Sequence, residues 1–306
     1  MDNASEALST AGGSWLALVT ADAEAHVVAL DLSTGRIAAR IRTLAGPRSV
    51  ESLRSTWAVV AHTTVGRLSL IHAPTLRVRR VVAGLREPRY TAMRPADDLA
   101  FVTDSASQRV VAVEVPSGRI VSSVAVPGPP RHVSLSPEGG VLWTALGSTA
   151  ERIAVVDVSS RRSRLARTIA PPFLAHDVVF APGGEHVWIT SGAGRRIAVY
   201  ERDGRRPVAV LSALGAPQHV AFAGRQALVA SGADGVVRVH RHDGELVDET
   251  RVPAGSYNVS FGHGSGAAVT PSLTGGTVAV LDAGGAVRRV QRVARAAHDA
   301  CVVVSA

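Results

Sequence analysis

Two phrases in this 306-residue chain repeat the same side chains in the same order, Ala175-His176-Asp177 and Ala297-His298-Asp299. A histidine oriented by a carboxylate can serve as a general base or as a supported metal ligand. Neighbours on a strand point to opposite faces, however, so a sequential His-Asp pair need not be hydrogen-bonded. His132 and His219 occupy related positions, after Arg131 and Gln218. Arg48, Arg89 and Arg131 add planar cationic groups suited to carboxylate or phosphate. The remaining candidates carry less. His240-Arg241-His242 puts two imidazoles on one strand face, a zinc-compatible spacing without a third ligand, and reads as exposed polar surface. His263 lies in Phe261-Gly262-His263-Gly264-Ser265-Gly266, glycine-rich like a phosphate loop, but no helix follows to offer its N-terminus, so it reads as a hairpin. No Gly-x-Ser-x-Gly elbow or His-Glu-x-x-His motif occurs. The single cysteine, Cys301, excludes an internal disulfide and a thiolate cluster and reads as a buried strand thiol.

These residues are positioned by a repeat. Aligning the short strand after each polar pair gives a column at Val50, Thr91, Val133, Val178, Val220, Val259 and Ala300. The gaps are 41, 42, 45, 42, 39 and 41 residues. A period of this length built from short strands is that of a four-stranded propeller blade. Within one unit, Leu99–Thr103 and Arg109–Glu114 alternate as strands, Pro116-Ser117-Gly118 turns the chain, and Arg119–Ala125 forms the next strand. No stretch keeps a helical period. The chain starts on the second strand of a blade near Trp15 and ends on an inner strand, His298 to Val304. The fold expected is therefore all-β, a seven-bladed propeller of four-stranded antiparallel blades. Its C-terminal inner strand joins the N-terminal strands, which closes the ring and removes open edges.

Residues 99–140 are similar to the YVTN-type repeat of YncE-like and lactonase-like propellers. Phe101-Val102-Thr103-Asp104 matches the name-giving strand, and Val113-Glu114-Val115-Pro116-Ser117-Gly118 matches its acidic strand end. Pro130-Arg131-His132-Val133-Ser134-Leu135-Ser136-Pro137-Glu138-Gly139 matches the closing phrase. Weaker copies cover most of residues 15–304, the sixth and seventh lacking the Ser-Pro-Glu-Gly turn. The resemblance implies the fold and leaves the task open, because such propellers serve many functions. A second column, at the end of the second strand of each unit, holds Asp31, His72, Glu114, Asp157, Glu201, His240 and Asp282. These read as polar groups serving the following turn rather than as seven active sites.

The pairs before the first column are expected to ring the mouth of the central funnel, where propellers commonly meet ligands. They contribute Arg48, Arg89, Tyr90, Arg131, His132, His176, Asp177, Gln218, His219, Tyr257, Asn258, His298 and Asp299. The arc holding Arg48, Arg89 and Arg131 is cationic. Blade spacing is expected to keep the histidines too far apart for metal bonds of about 2 Å, so neither metal nor cofactor is assigned. The reading is a binding or scaffold propeller for a small polar or anionic ligand or a protein partner. The alternative is a lactonase-like hydrolase or lyase with His176 or His298 as base, metal-assisted or not, and arginine facing a developing oxyanion. Whether the chain is an enzyme stays open.

Composition limits the partners. All 33 basic residues are arginine and the formal charge is +8, yet the arginine pairs are scattered along the chain. With aromatics at 4%, there is little surface for stacking bases, which argues against nucleic acid. The abundance of Ala, Gly, Val and Arg without lysine reads as a GC-rich bacterial genome. No run approaches about 18 consecutive apolar residues, so no membrane span is expected. Residues 1–14 are small and polar and are expected to form a flexible segment before a single domain over 15–306. Without a basic start and apolar core they point to the cytoplasm, and an exported protein that had lost its leader would read the same.

Overall fold

Alternating apolar residues let each short strand bury one row of side chains on either side of its sheet. A blade stacked between two others needs this, because both of its faces are covered. In the computed structural model, which describes residues 9–10, 13–160 and 162–305, the strands form seven antiparallel sheets in a ring. The inner strands are Pro47–Leu53, Pro88–Arg94, Val133–Leu135, Val178–Phe180, Val220–Ala223, Ser260–Gly262 and Ala297–Val304, here defining blades 1 to 7. Blades 1 to 6 each run from inner to outer strand in chain order.

Blade 7 closes the ring. Ala297–Val304 pairs antiparallel with Gly13–Ala21, in a register that includes Trp15 with Val304 and Val19 with Ala300. Ser9–Thr10 adds a short edge strand. The flexible segment expected over 1–14 lies largely outside the described residues.

Seven hydrophobic clusters hold the described ring, one between each pair of neighbouring blades. Between blades 3 and 4, Trp143 meets Phe180 and Tyr200 edge-on, with ring centroids 6.3 and 5.8 Å apart. Between blades 4 and 5, Trp188 meets Phe222 at 5.6 Å. Burying one such side chain contributes about 1.5–3 kcal/mol.

The aspartates of the turn column behave as their residue type dictates, whereas His240, expected at the exposed surface, is buried. Asp31 accepts from the Ser33 and Thr34 amides, Asp157 from the Ser159 amide, and Asp282 from the Gly284 and Ala286 amides. Hydrogen bonds hold the Asp31 and Asp157 carboxyls below the ordinary carboxylate range, against the opposing effect of burial. At Pro137-Glu138-Gly139 the glycine adopts φ +80°, and a Cβ there would lie 2.7 Å from Cδ of Arg94. That arginine lies over Phe101 and donates to the Gly139 and Val158 carbonyls, tying blade 2 to blade 3.

Candidate functional site

The mouth pairs do not follow simple strand alternation. In blades 3, 4 and 5 each pair brackets a single residue of the second strand. The Arg131 amide donates to the Ala145 carbonyl while the Ala145 amide donates to His132. His176 and Asp177 bracket Thr190 in the same way, and Gln218 and His219 bracket Ala230. Blades 1, 2 and 7 show the matching register shift at Arg48, at Arg89-Tyr90 and at His298-Asp299. Two residues opposing one is a β-bulge, which bends the strand and re-aims its side chains. Both members of a pair can then approach the axis, so alternation alone misplaces them.

A buried threonine fixes several of these bulges to the next blade. Thr103 Oγ1 donates to the Arg131 carbonyl at 2.8 Å, and Thr190 Oγ1 to the Gln218 carbonyl at 2.7 Å. Thr20 Oγ1 reaches the Arg48 carbonyl of blade 1 at 3.4 Å and accepts the Asp299 amide of its own blade at 2.9 Å. The threonine of the Phe101–Asp104 strand is thus a clamp between blades.

The pairs form two tiers. Arg48, Arg89, Arg131, His176, Gln218, Tyr257 and His298 are half-buried. Behind them, Ser49, His132, Asp177, Asn258 and Asp299 are buried, while Tyr90 and His219 are nearly so. This second tier forms one end of an axial cavity of about 420 Å³ that continues past Glu51, Ala92, Met93, Ser134 and Val179 to His263.

On blades 2 to 5 the rings converge. Tyr90 lies 4.1 Å from His132 between centroids, His132 lies 4.4 Å from His176 and 4.7 Å from His219, and His176 lies 5.6 Å from His219. One nitrogen from each of His132, His176 and His219 lies within 4.8 Å of the other two. Blade spacing therefore does not keep the histidines apart, contrary to expectation, because the bulges turn them into a narrow channel.

The sequential His-Asp pairs are not partnered. Asp177 Oδ2 instead lies 3.3 Å from Nδ1 of His219, one blade on, and Asp177 also accepts the Val178 and Val220 amides. His176 Nδ1 lies 3.0 Å from the Ser148 carbonyl. His298 Nδ1 faces Asp22 at 3.9 Å, and the same carboxylate takes Arg48 Nη1 at 3.0 Å. Asp299 accepts the Val50 and Ala300 amides and the side-chain amide of Asn258. Gln218 and Tyr257 turn elsewhere. Gln218 accepts the Gly232 amide, and the Tyr257 ring packs so closely on Gly232 that a Cβ there would lie 2.3 Å from it.

Burial and neighbouring charge separate these groups electrostatically. Burial, then the charges of His219, His176 and Arg131, hold His132 well below the ordinary histidine value. Burial and His219 depress His176. Burial, then Arg48, His219, Arg131 and Arg89, lower His298 to about 3. His219 goes the other way: burial would depress it, but the charge and hydrogen bond of Asp177 raise it. Burial pushes Tyr90 up to about 12 and Asp299 up to about 6, the latter against its amide donors. Burial, with Asp299 adding to it, raises Glu51 to about 7.

Three contributors were missed from the sequence. Asp22 follows Gly13–Ala21, the strand that pairs with the closing strand, and had no motif to mark it. Glu51 had a signal, as the only charged residue directly after the aligned column. His263 sits in the expected hairpin and yet lines the far end of the cavity.

No family model matches the chain, and no curated protein matches it. Solved structures do. The chain is similar to a functionally unknown protein from Desulfotomaculum acetoxidans DSM 771, with a TM-score of 0.80 at 14% identity, covering 94% of this chain and 98% of that one. It is similar to Kuenenia stuttgartiensis hydrazine synthase, at 0.75 and 15%, covering 87% and 91%. It also resembles the β-propeller domain of Myceliophteria thermophila Cps50 (Swd1), at 0.67 and 12%, covering 80% and 86%. The likeness is one of fold. At these identities it supports the seven-bladed propeller and leaves the YVTN-type resemblance on the repeat alone. Among the described residues no helix is long and apolar enough to cross a membrane.

Proposed function

We propose that this propeller is a binding protein whose axial channel takes a small anionic ligand at the arginine-lined mouth. The observation that carries this reading is the state of Arg131. Arg48 is neutralised by Asp22 and Arg89 by Glu87. Arg131 forms no ion pair among the described residues, and its buried Nε has no hydrogen-bond partner. Its charge bears on Tyr90, His132, His176, His219 and His298 alike, which puts it beside the axis. A half-buried guanidinium left unpaired is costly, and a carboxylate or phosphate would satisfy it with charge-assisted hydrogen bonds. The hydrolytic alternative draws no support from the arrangement beyond the presence of the histidines.

The test is calorimetry with a panel of small carboxylates and phosphate esters, at low salt. A binder from the panel should lose about 10-fold or more in affinity in Arg131→Gln, the loss expected for one hydrogen-bonded charge. Absence of any binder in the panel, or unchanged affinity in the variant, would overturn the assignment.

A further inference from the structure

We propose that His132, His176 and His219 form a binding site for a divalent transition metal of the zinc type. This goes beyond the anion-binding reading and stands without it. The three imidazoles come from successive blades 3, 4 and 5, and one nitrogen of each lies within 4.8 Å of the other two. A tetrahedral ion with bonds of about 2.0–2.1 Å holds its nitrogens roughly 3.3 Å apart, so each separation need close by no more than about 1.5 Å. Imidazole sets of this kind suit zinc, copper, nickel and cobalt rather than magnesium or calcium.

A second observation is independent of the convergence. His132 is only 1% exposed, and neither ring nitrogen has a hydrogen-bond partner of normal geometry. A neutral imidazole carries one donor and one acceptor, and burying them unpaired costs about 1–3 kcal/mol. The backbone of His176 offers it only a weak contact, too small to offset the burial. A metal ion would take up the unpaired acceptor.

The other two rings are already prepared. Nδ1 of His176 is held by the Ser148 carbonyl and Nδ1 of His219 by the Asp177 carboxylate. These partners fix each Nδ1 as the donor and leave Nε2 with the lone pair, as the outer partners of metal-bound histidines do. A proton competes for the site chiefly at His219, where Asp177 favours the charged ring. Binding requires the neutral ring, so affinity should fall as pH drops. Arg131 opposes a cation here, while Asp177 and Asp299, whose charges both reach His219, favour one. Three protein ligands leave a fourth position for water or an anion.

The experiment uses the full chain, stripped with a chelator and dialysed into a non-coordinating buffer. Zn²⁺ is titrated by calorimetry, and Co²⁺ serves as a spectroscopic reporter. The expected result is one ion per chain with the visible bands of a four- or five-coordinate cobalt site. Affinity should fall at least about 100-fold in His176→Ala and in His219→Ala, and about 10–100-fold in Asp177→Asn. His242→Ala, in the turn between the third and fourth strands of blade 5, should leave it unchanged. His176 is half-buried, so that variant should fold even if a change at His132 does not. Absence of stoichiometric binding in the wild type, or binding that survives both His176→Ala and His219→Ala, overturns the proposal. No anion is needed, so this result is separate from that for Arg131.

Discussion

Replacing Glu51 by glutamine should stabilise the protein, and only where the wild-type carboxyl would be ionised. Glu51 faces the axial cavity near Asp299, and burial raises its pKa from 4.5 to about 7. Between those values the native state keeps a proton that the unfolded chain has released. The native state then binds more protons, so stability falls as pH rises through this window and levels off above it. The full shift corresponds to about 3 kcal/mol, and the open cavity beside this half-buried side chain screens it to about 1–2 kcal/mol. Glutamine never ionises, and its Oε1 can still accept the Ser52 amide that Glu51 accepts at 2.9 Å. Urea unfolding at pH 4, 6 and 8 would compare the two proteins, because subtracting one curve from the other removes the background from groups not coupled to Glu51. The expected outcome is near-equality at pH 4 and an advantage of about 1–2 kcal/mol for Glu51→Gln at pH 8. A difference that does not change with pH, or a variant less stable at pH 8, would refute the reasoning.

Two further outcomes test the frame around the channel. Asp104 is buried and accepts the Arg86 and Glu87 amides and Arg109 Nε at 3.1, 2.8 and 3.0 Å; burial opposes its charge, but these bonds hold its pKa down. Asp104→Asn should cost about 1–3 kcal/mol at pH 7 in denaturant unfolding. A depressed carboxyl loses its contribution as pH falls through the folded pKa, so the cost should shrink below about pH 4; a cost that persists there would contradict the assignment. A chain ending at Arg295 lacks the strand that pairs with Gly13–Ala21, and calorimetry should show loss of the single cooperative transition. An unchanged transition would mean that the strand does not hold the ring.

The fold was legible because its cause is local and repeated: strand alternation, turn residues and a period near 42 can each be read along the chain. The closing strand was legible because Trp15 begins a blade that lacks an inner strand and His298 begins an inner strand that lacks a blade. The site was legible only in membership. All three converging histidines were among the candidates, but their convergence and their partners were not legible where geometry departs from regular pleating. At Arg131-His132 and His176-Asp177 the bulge is a backbone event, set by which residue of the neighbouring strand is bracketed, and it leaves no mark in residue type. Asp177 meets His219 rather than His176 for that reason. The unpaired state of Arg131 was equally invisible, since it depends on Asp22 and Glu87 serving the other two arginines.

The contact between Thr20 and Asp299 spans 279 residues of sequence. For an otherwise unstructured chain, closing a loop of that length costs on the order of 5 kcal/mol of entropy. Non-local pairing of this kind also slows folding, so the axial chemistry should appear late, after the individual blades have formed. A chain caught before that step would carry every histidine and arginine of the channel and still lack the channel.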